Sequence, residues 1–222
     1  MSAPSHRPSR NGGGRRASVV LLVRHAVTAS TGVRLPGRAP GLHLSDKGRR
    51  QAEAVAARLA RLRRVAAVYT SPIDRARETA AAIGKALGET PRVEPGLLEV
   101  DIGEWTGLTI ARASRRPEWQ AVQRHPSGFR FPGGESFMTL QARVVDAVSR
   151  LAGRHRGAVV VAVSHADPIK AAVAHALGAH LDLFQRIVVS PASVTAIAYR
   201  PSGPTVLTVN SVDGDLAALG LR

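Results

Sequence analysis

Two short stretches limit the fold more than anything else in the chain. The cores of Ser18-Val-Val-Leu-Leu-Val-Arg24 and of Ala158-Val-Val-Val-Ala-Val163 are apolar, rich in valine, and show no alternation with polar residues. A strand with one face in water alternates, so these two read as strands buried on both faces. Such strands need a sheet covered on two sides. That points to a parallel α/β sheet with helices packed above and below it.

The rest of the chain supplies helices in the right places. A helix is expected from Ser45-Asp46 to about Arg63, with Ala52, Val55, Ala56 and Leu59 at helical spacing. A strand at Ala66–Tyr69 and a polar turn Thr70-Ser71-Pro72 lead into a helix over about Ile73–Leu87. Further helices are expected over about Thr109–Gln123, from Glu135-Ser136 to about Gly153, and from Asp167-Pro168 to Gly178. Proline just inside a helix and glycine just past its end is the usual asymmetry. Strands at Val188–Tyr199, interrupted near Pro191, and at Thr205–Val209 close the chain. The expected architecture is a three-layer α/β sandwich, its central sheet mostly parallel, with helices on both faces. No internal repeat is present.

Residues 1–17 are rich in Ser, Pro, Gly and Arg without apolar periodicity, and read as a disordered basic tail. Residues 18–222 read as one domain, a size well within the single-domain range. No apolar run approaches the ~18 residues of a spanning helix. The N-terminus lacks the apolar core of a secretory signal. Cysteine is absent, which excludes disulfides, thiolate metal sites and a cysteine nucleophile and is compatible with a cytoplasmic address. The formal net charge of +15 comes from 28 arginines and three lysines, scattered along the chain among few aromatics. That scatter argues against nucleic acid as the partner and suits a small anionic one. Oligomeric state is left open.

Both apolar strands end in histidine, at Arg24-His25 and Ser164-His165. In open α/β sheets ligands bind beyond the carboxyl ends of the strands. One such histidine could merely cap its strand; two, with Arg24 beside one of them, make a candidate site. Arg75 follows a third strand and can reach the same edge. Arg24, Arg75 and two imidazoles would surround a phosphate with donors. No glycine-rich nucleotide loop follows any strand, so the phosphate cradle must be built from side chains.

These landmarks, taken together, resemble the histidine phosphatase superfamily, the phosphoglycerate mutase-like proteins. They are Leu22-Val-Arg-His-Ala-Val-Thr28, Leu44-Ser-Asp-Lys-Gly48, Ser71-Pro-Ile-Asp-Arg75-Ala-Arg-Glu-Thr79, Leu98-Glu99-Val-Asp-Ile-Gly103-Glu-Trp105, Pro132-Gly-Gly-Glu135-Ser136 and Val163-Ser164-His165, in the family's order. The resemblance implies that His25 is the nucleophile and takes the phosphoryl group on nitrogen, without metal or cofactor. It implies that Arg24, Arg75 and His165 hold the phosphoryl oxygens, with Thr28 and Thr31 adding hydroxyls. Glu99 matches the proton donor to the leaving alkoxide, with Asp101 and Glu104 as nearby rivals. Ser164 is expected to support His165, and Asp167 to cap a helix. Two positions depart from the family pattern: Ala26 stands where glycine is usual, and Thr31 where asparagine is frequent.

The resemblance favours a phosphomonoester hydrolase acting on a small phosphorylated metabolite. A phosphomutase is the alternative, since the chain looks closest to an actinobacterial-type group described as probable phosphomutases. The proline cluster of the phosphoglycerate mutases is missing between Gly107 and Val163. A further alternative is a catalytically silent module that binds a phosphorylated ligand. The segment from Gly107 to Phe131, with Arg112, Arg115, Arg116 and Arg124, is the expected seat of specificity.

Overall fold

A computed structural model describes residues 16–220. The expected basic tail therefore lies, apart from Arg16 and Ala17, outside the described residues. Six strands form one sheet: β1 (Ser18–Arg24), β2 (Val68–Thr70), β3 (Arg92–Val93), β4 (Val159–Ser164), β5 (Val194–Arg200) and β6 (Gly203–Ser211). Their order across the sheet is β3-β2-β4-β1-β5-β6. β1, β4, β2 and β3 run parallel, while β5 is antiparallel to both β1 and β6.

The alternation of side chains sorts the apolar strands onto two cores. Val20 and Leu22 of β1, with Val160 and Ala162 of β4, face one apolar cluster. It is completed by α5 (Phe137–Arg154) and α6 (Ala166–Ala176). Val19, Leu21 and Val23, with Val159, Val161 and Val163, face a second cluster built by α1 (Asp46–Leu59) and α2 (Asp74–Leu87). Both faces are thus covered, as the apolar runs require. The three-layer sandwich is the one expected.

Four boundaries differ from the sequence reading. The first helix stops at Leu59 rather than near Arg63, because Leu62 turns back to its carbonyl and is buried on the way into β2. The helix expected over Thr109–Gln123 is two short ones, α3 (Ile110–Ala113) and α4 (Trp119–Arg124). Pro117 lies between them; it has no N–H to donate and its ring clashes with a carbonyl four residues back. The strand expected from Val188 begins only at Val194, after a turn in which Ala192 takes a left-handed φ of 59°. Asp167 is not a cap: His165 occupies that position, and Asp167 lies in the first turn, 3.5 Å from Lys170.

One glycine explains a sequence landmark. A Cβ on Gly48 would lie 2.0 Å from the Val27 carbonyl. That close approach seats the start of α1, capped by the Ser45 hydroxyl, against the loop leaving His25.

Candidate active site

The strand register assembles the site. Arg24 pairs with Ser164, and Thr70 with Val163. The residues that follow in each strand, His25, His165 and Ser71, therefore emerge side by side at the carboxyl edge. The His25 and His165 ring centroids are 5.1 Å apart. His25 is 6% exposed and His165 fully buried. Arg75 comes from the first turn of α2 and is 1% exposed, whereas its neighbour Arg77 is exposed.

Hydrogen bonds fix the state of His25. Its Nδ1 lies 2.8 Å from the Ala26 carbonyl, which can only accept. Its Nε2 receives the Nε–H of Arg75 at 3.2 Å, which can only donate. The ring is therefore neutral, protonated on Nδ1, with the Nε2 lone pair turned toward a guanidinium. Burial, followed by the Arg75 charge, drives the pKa of His25 down to about 3. Burial likewise holds His165 well below the ordinary histidine value. His165 Nε2 meets the Ser71 hydroxyl at 2.8 Å.

Six buried side-chain polar atoms have no hydrogen-bond partner among the described residues, and three of them sit around His25. They are Arg24 Nε, Arg75 Nη1 and His165 Nδ1. The two guanidiniums are otherwise tied to the backbone, Arg24 Nη1 to the Val189 carbonyl at 2.7 Å and Arg75 Nη2 to that of Gly37 at 2.8 Å. Buried donors are normally satisfied, and clustered orphans ask for an explanation. Here they form a cradle that tetrahedral oxygens beside Nε2 would fill.

Glu99 faces the same charges. Its carboxylate accepts from the Val100 N–H at 2.9 Å. Burial, and next the Asp167 charge, raise its pKa to about 7, against the pull of Arg75 and Arg24. Neither Asp101 nor Glu104 shares this position. Asp101 accepts from the Gly103 N–H and lies 3.6 Å from Arg38. Glu104 is exposed. Among the described residues no group of three or more His, Asp or Glu side chains is placed to hold a metal ion. None of their helices is long and apolar enough to cross a membrane.

The remaining sequence expectations are met unevenly. Thr28 is buried, but its hydroxyl and that of Thr31 engage each other at 3.1 Å, and Thr31 also accepts from the Thr28 N–H. Ala26 keeps an ordinary negative φ, its N–H reaches Thr79 at 3.1 Å, and its methyl is buried in the second apolar cluster. Nothing in the backbone demands glycine there. Ser164 does not support His165; its hydroxyl donates to the Leu97 carbonyl at 2.7 Å, on the opposite face.

Sequence reasoning missed Ser71, which partners His165, and Arg143 and Arg38, which grip the backbone at Glu99. It read Glu135 as the opening of a helix, yet both arginines bind that carboxylate. The sequence signal for them is weak: Arg143 flanks the apolar stripe of α5, beside Val144, where a solvated charge would look the same.

Comparison with known proteins agrees with this geometry. The family model for the histidine phosphatase superfamily, branch 1, matches residues 20–212. A Mycobacterium tuberculosis chain described as a bifunctional protein is 36% identical over 200 residues, covering 89% of this chain. The match covers 54% of that relative, so the chain spans about half its length. Phosphoserine phosphatase 1 of Hydrogenobacter thermophilus is 31% identical over 196 residues, covering 86% of this chain and 91% of that one. Among solved structures, a mycobacterial glucosyl-3-phosphoglycerate phosphatase superposes with a TM-score of 0.80 at 27% identity, over 88% of this chain and 100% of the other. With the match running from inside β1 to just past β6, and so across every element that builds the site, this chain belongs to the histidine phosphatase superfamily.

Proposed function

We propose that the chain is a metal-independent phosphomonoester hydrolase that works through a phosphohistidine on His25. One observation carries this reading: the only tautomer of His25 consistent with its partners leaves Nε2 unprotonated, its lone pair met only by Arg75, beside two orphaned guanidinium donors and the unpartnered Nδ1 of His165. Phosphoryl transfer needs mainly positioning and charge stabilisation, and this arrangement supplies both.

In the first step the Nε2 lone pair attacks phosphorus and the P–O ester bond breaks. Arg75 Nε exchanges its contact with Nε2 for a phosphoryl oxygen, joined by Arg24 and His165. Glu99, protonated below about pH 7, gives its proton to the departing alkoxide. In the second step the Glu99 carboxylate takes a proton from water, the oxygen attacks phosphorus, and the N–P bond breaks. Inorganic phosphate leaves and His25 returns neutral. Nδ1 keeps its proton and goes on donating it to the Ala26 carbonyl throughout. Thr28 and Thr31, locked together, serve the wall of the cradle.

The substrate is a small phosphorylated metabolite. Two similar proteins carry names that specify phosphoserine and glucosyl-3-phosphoglycerate, both compatible with this chemistry. The cysteine-free composition is compatible with a cytoplasmic address.

The test is hydrolysis of p-nitrophenyl phosphate and of alkyl phosphates, with and without EDTA. Turnover is expected to resist EDTA and to fall at least about a thousandfold in His25→Ala, the usual consequence of removing a nucleophile. Full activity in His25→Ala, or loss with EDTA that zinc or magnesium restores, would contradict the proposal.

A further inference from the structure

Glu99 sits on a segment without regular secondary structure, between two 3-10 turns at Pro95–Leu97 and Gly103–Trp105. No helix or sheet ladder holds it, yet the proposed acid must meet a leaving oxygen within hydrogen-bond reach. Side chains hold it instead. Arg38 Nε donates to the Glu99 carbonyl at 2.8 Å. Arg143 Nη2 reaches the same carbonyl at 3.4 Å, and its Nη1 donates to the carbonyls of Gly96 at 2.9 Å and Leu98 at 3.0 Å.

Glu135 joins the two arginines. A single oxygen, Oε1, accepts from Arg38 at 2.7 Å, from Arg143 at 2.6 Å and from the Asp101 N–H at 3.0 Å. This carboxylate is only 12% exposed, so its ion pairs are better shielded from water than a surface pair. Without it Arg143 would lose its carboxylate partner and Arg38 would keep only Asp101, 3.6 Å away, so the two guanidiniums would repel and their forks would lose their aim at the Glu99 backbone. The arrangement also spans the site. The residue before Arg38 is Gly37, whose carbonyl holds Arg75, the partner of His25 Nε2. One stretch of chain thus sets the nucleophile's neighbour and grips the acid's backbone.

We propose that Glu135, acting through Arg38 and Arg143, is a positioning residue that fixes the Glu99 carboxyl at the leaving-group oxygen. The proposal rests on the phosphatase reading above. It does not place Glu135 in contact with substrate.

The leaving group separates positioning from general structural support. Each ester's kcat/KM reports the steps up to departure of its alcohol. A p-nitrophenolate leaves without a proton, whereas an alkoxide needs one from Glu99. In Glu135→Ala, kcat/KM for an alkyl phosphate is expected to fall about tenfold or more beyond any fall for p-nitrophenyl phosphate, within the range of a general-acid contribution. Glu135→Gln, which keeps one acceptor oxygen without the charge, should fall between wild type and Ala. If Glu135→Ala does not fold, Arg38→Met, at a side chain 30% exposed, decides the matter by the same ratio. Equal losses for both esters, or none for the alkyl ester, overturn the proposal. A wild type that hydrolyses neither ester instead overturns the phosphatase reading, and the proposal with it.

Discussion

At the scale of single residues, burial and neighbouring charges move the site's protonation equilibria away from those in water. His25 and His165 are neutral because they are buried near guanidiniums, and Glu99 keeps its proton to about pH 7. These states bear on stability. The folded pKa of Glu99 lies above its ordinary value of 4.5, so the folded chain binds that proton more tightly than the unfolded chain. The corresponding stabilisation is present below about pH 4.5 and is lost as pH rises through about 7. Glu99→Gln, which cannot ionise, should therefore gain stability relative to wild type as pH rises across that window. The gain should be about 3 kcal/mol at the alkaline end, read by urea denaturation at several pH values. A difference in stability between the two proteins that does not change from about pH 4.5 to about pH 8 would show that Glu99 titrates normally. Much of the site was legible from residues at strand ends: His25, His165 and Arg75 follow from the apolar runs and the turn after the second strand. The partner of His165 was misread. Adjacent strand residues point to opposite faces, so Ser164 could not have served it, and the period of two already said so.

At the scale of elements, the legible parts are those with strong periodicity. β1, β4, α2 and α5 lie within a residue or two of where the pattern puts them, because burial on known faces dictates their composition. The loops that complete the site follow other rules. The Pro132-Gly-Gly-Glu135 turn packs against the Glu99 segment so closely that a Cβ on Gly134 would lie 2.3 Å from the Asp101 carbonyl and 2.9 Å from the Gly103 nitrogen. That contact joins segments about 30 residues apart, and no local pattern announces it. Gly134→Ala should force the two turns apart, at a cost of about 1–3 kcal/mol typical of overpacking. Thermal unfolding would measure that cost. Because the displaced turn carries Glu135, alkyl-phosphate hydrolysis should suffer alongside stability. An unchanged melting temperature would mean that the turns have slack the geometry denies.

At the scale of the whole molecule, scarce aromatic residues are concentrated where the site lacks secondary structure. Trp105, Trp119, Phe129, Phe131, Phe137 and Phe184 form a connected cluster, six of the eight Phe, Tyr and Trp residues in the chain. Trp105 is fully buried within it, and Arg116 stacks 5.5 Å above its ring. The layered sheet carries the proposed nucleophile and phosphate donors; the Glu135 ion pairs brace the segment of the proposed acid, and Trp105 anchors the turn that follows it. The first half was readable from hydrophobic pattern. The second depends on contacts between α5, the loop after β1 and the turns near residues 100 and 134, which only the folded chain displays. The two halves meet in one claim, a covalent phosphoryl group on His25 Nε2. The most direct measurement is mass spectrometry of enzyme quenched in alkali during turnover, where a phosphoramidate survives. The account predicts a single added phosphoryl group on the peptide containing His25, absent from His25→Ala. Turnover without any such adduct, or an adduct on another residue, would contradict it.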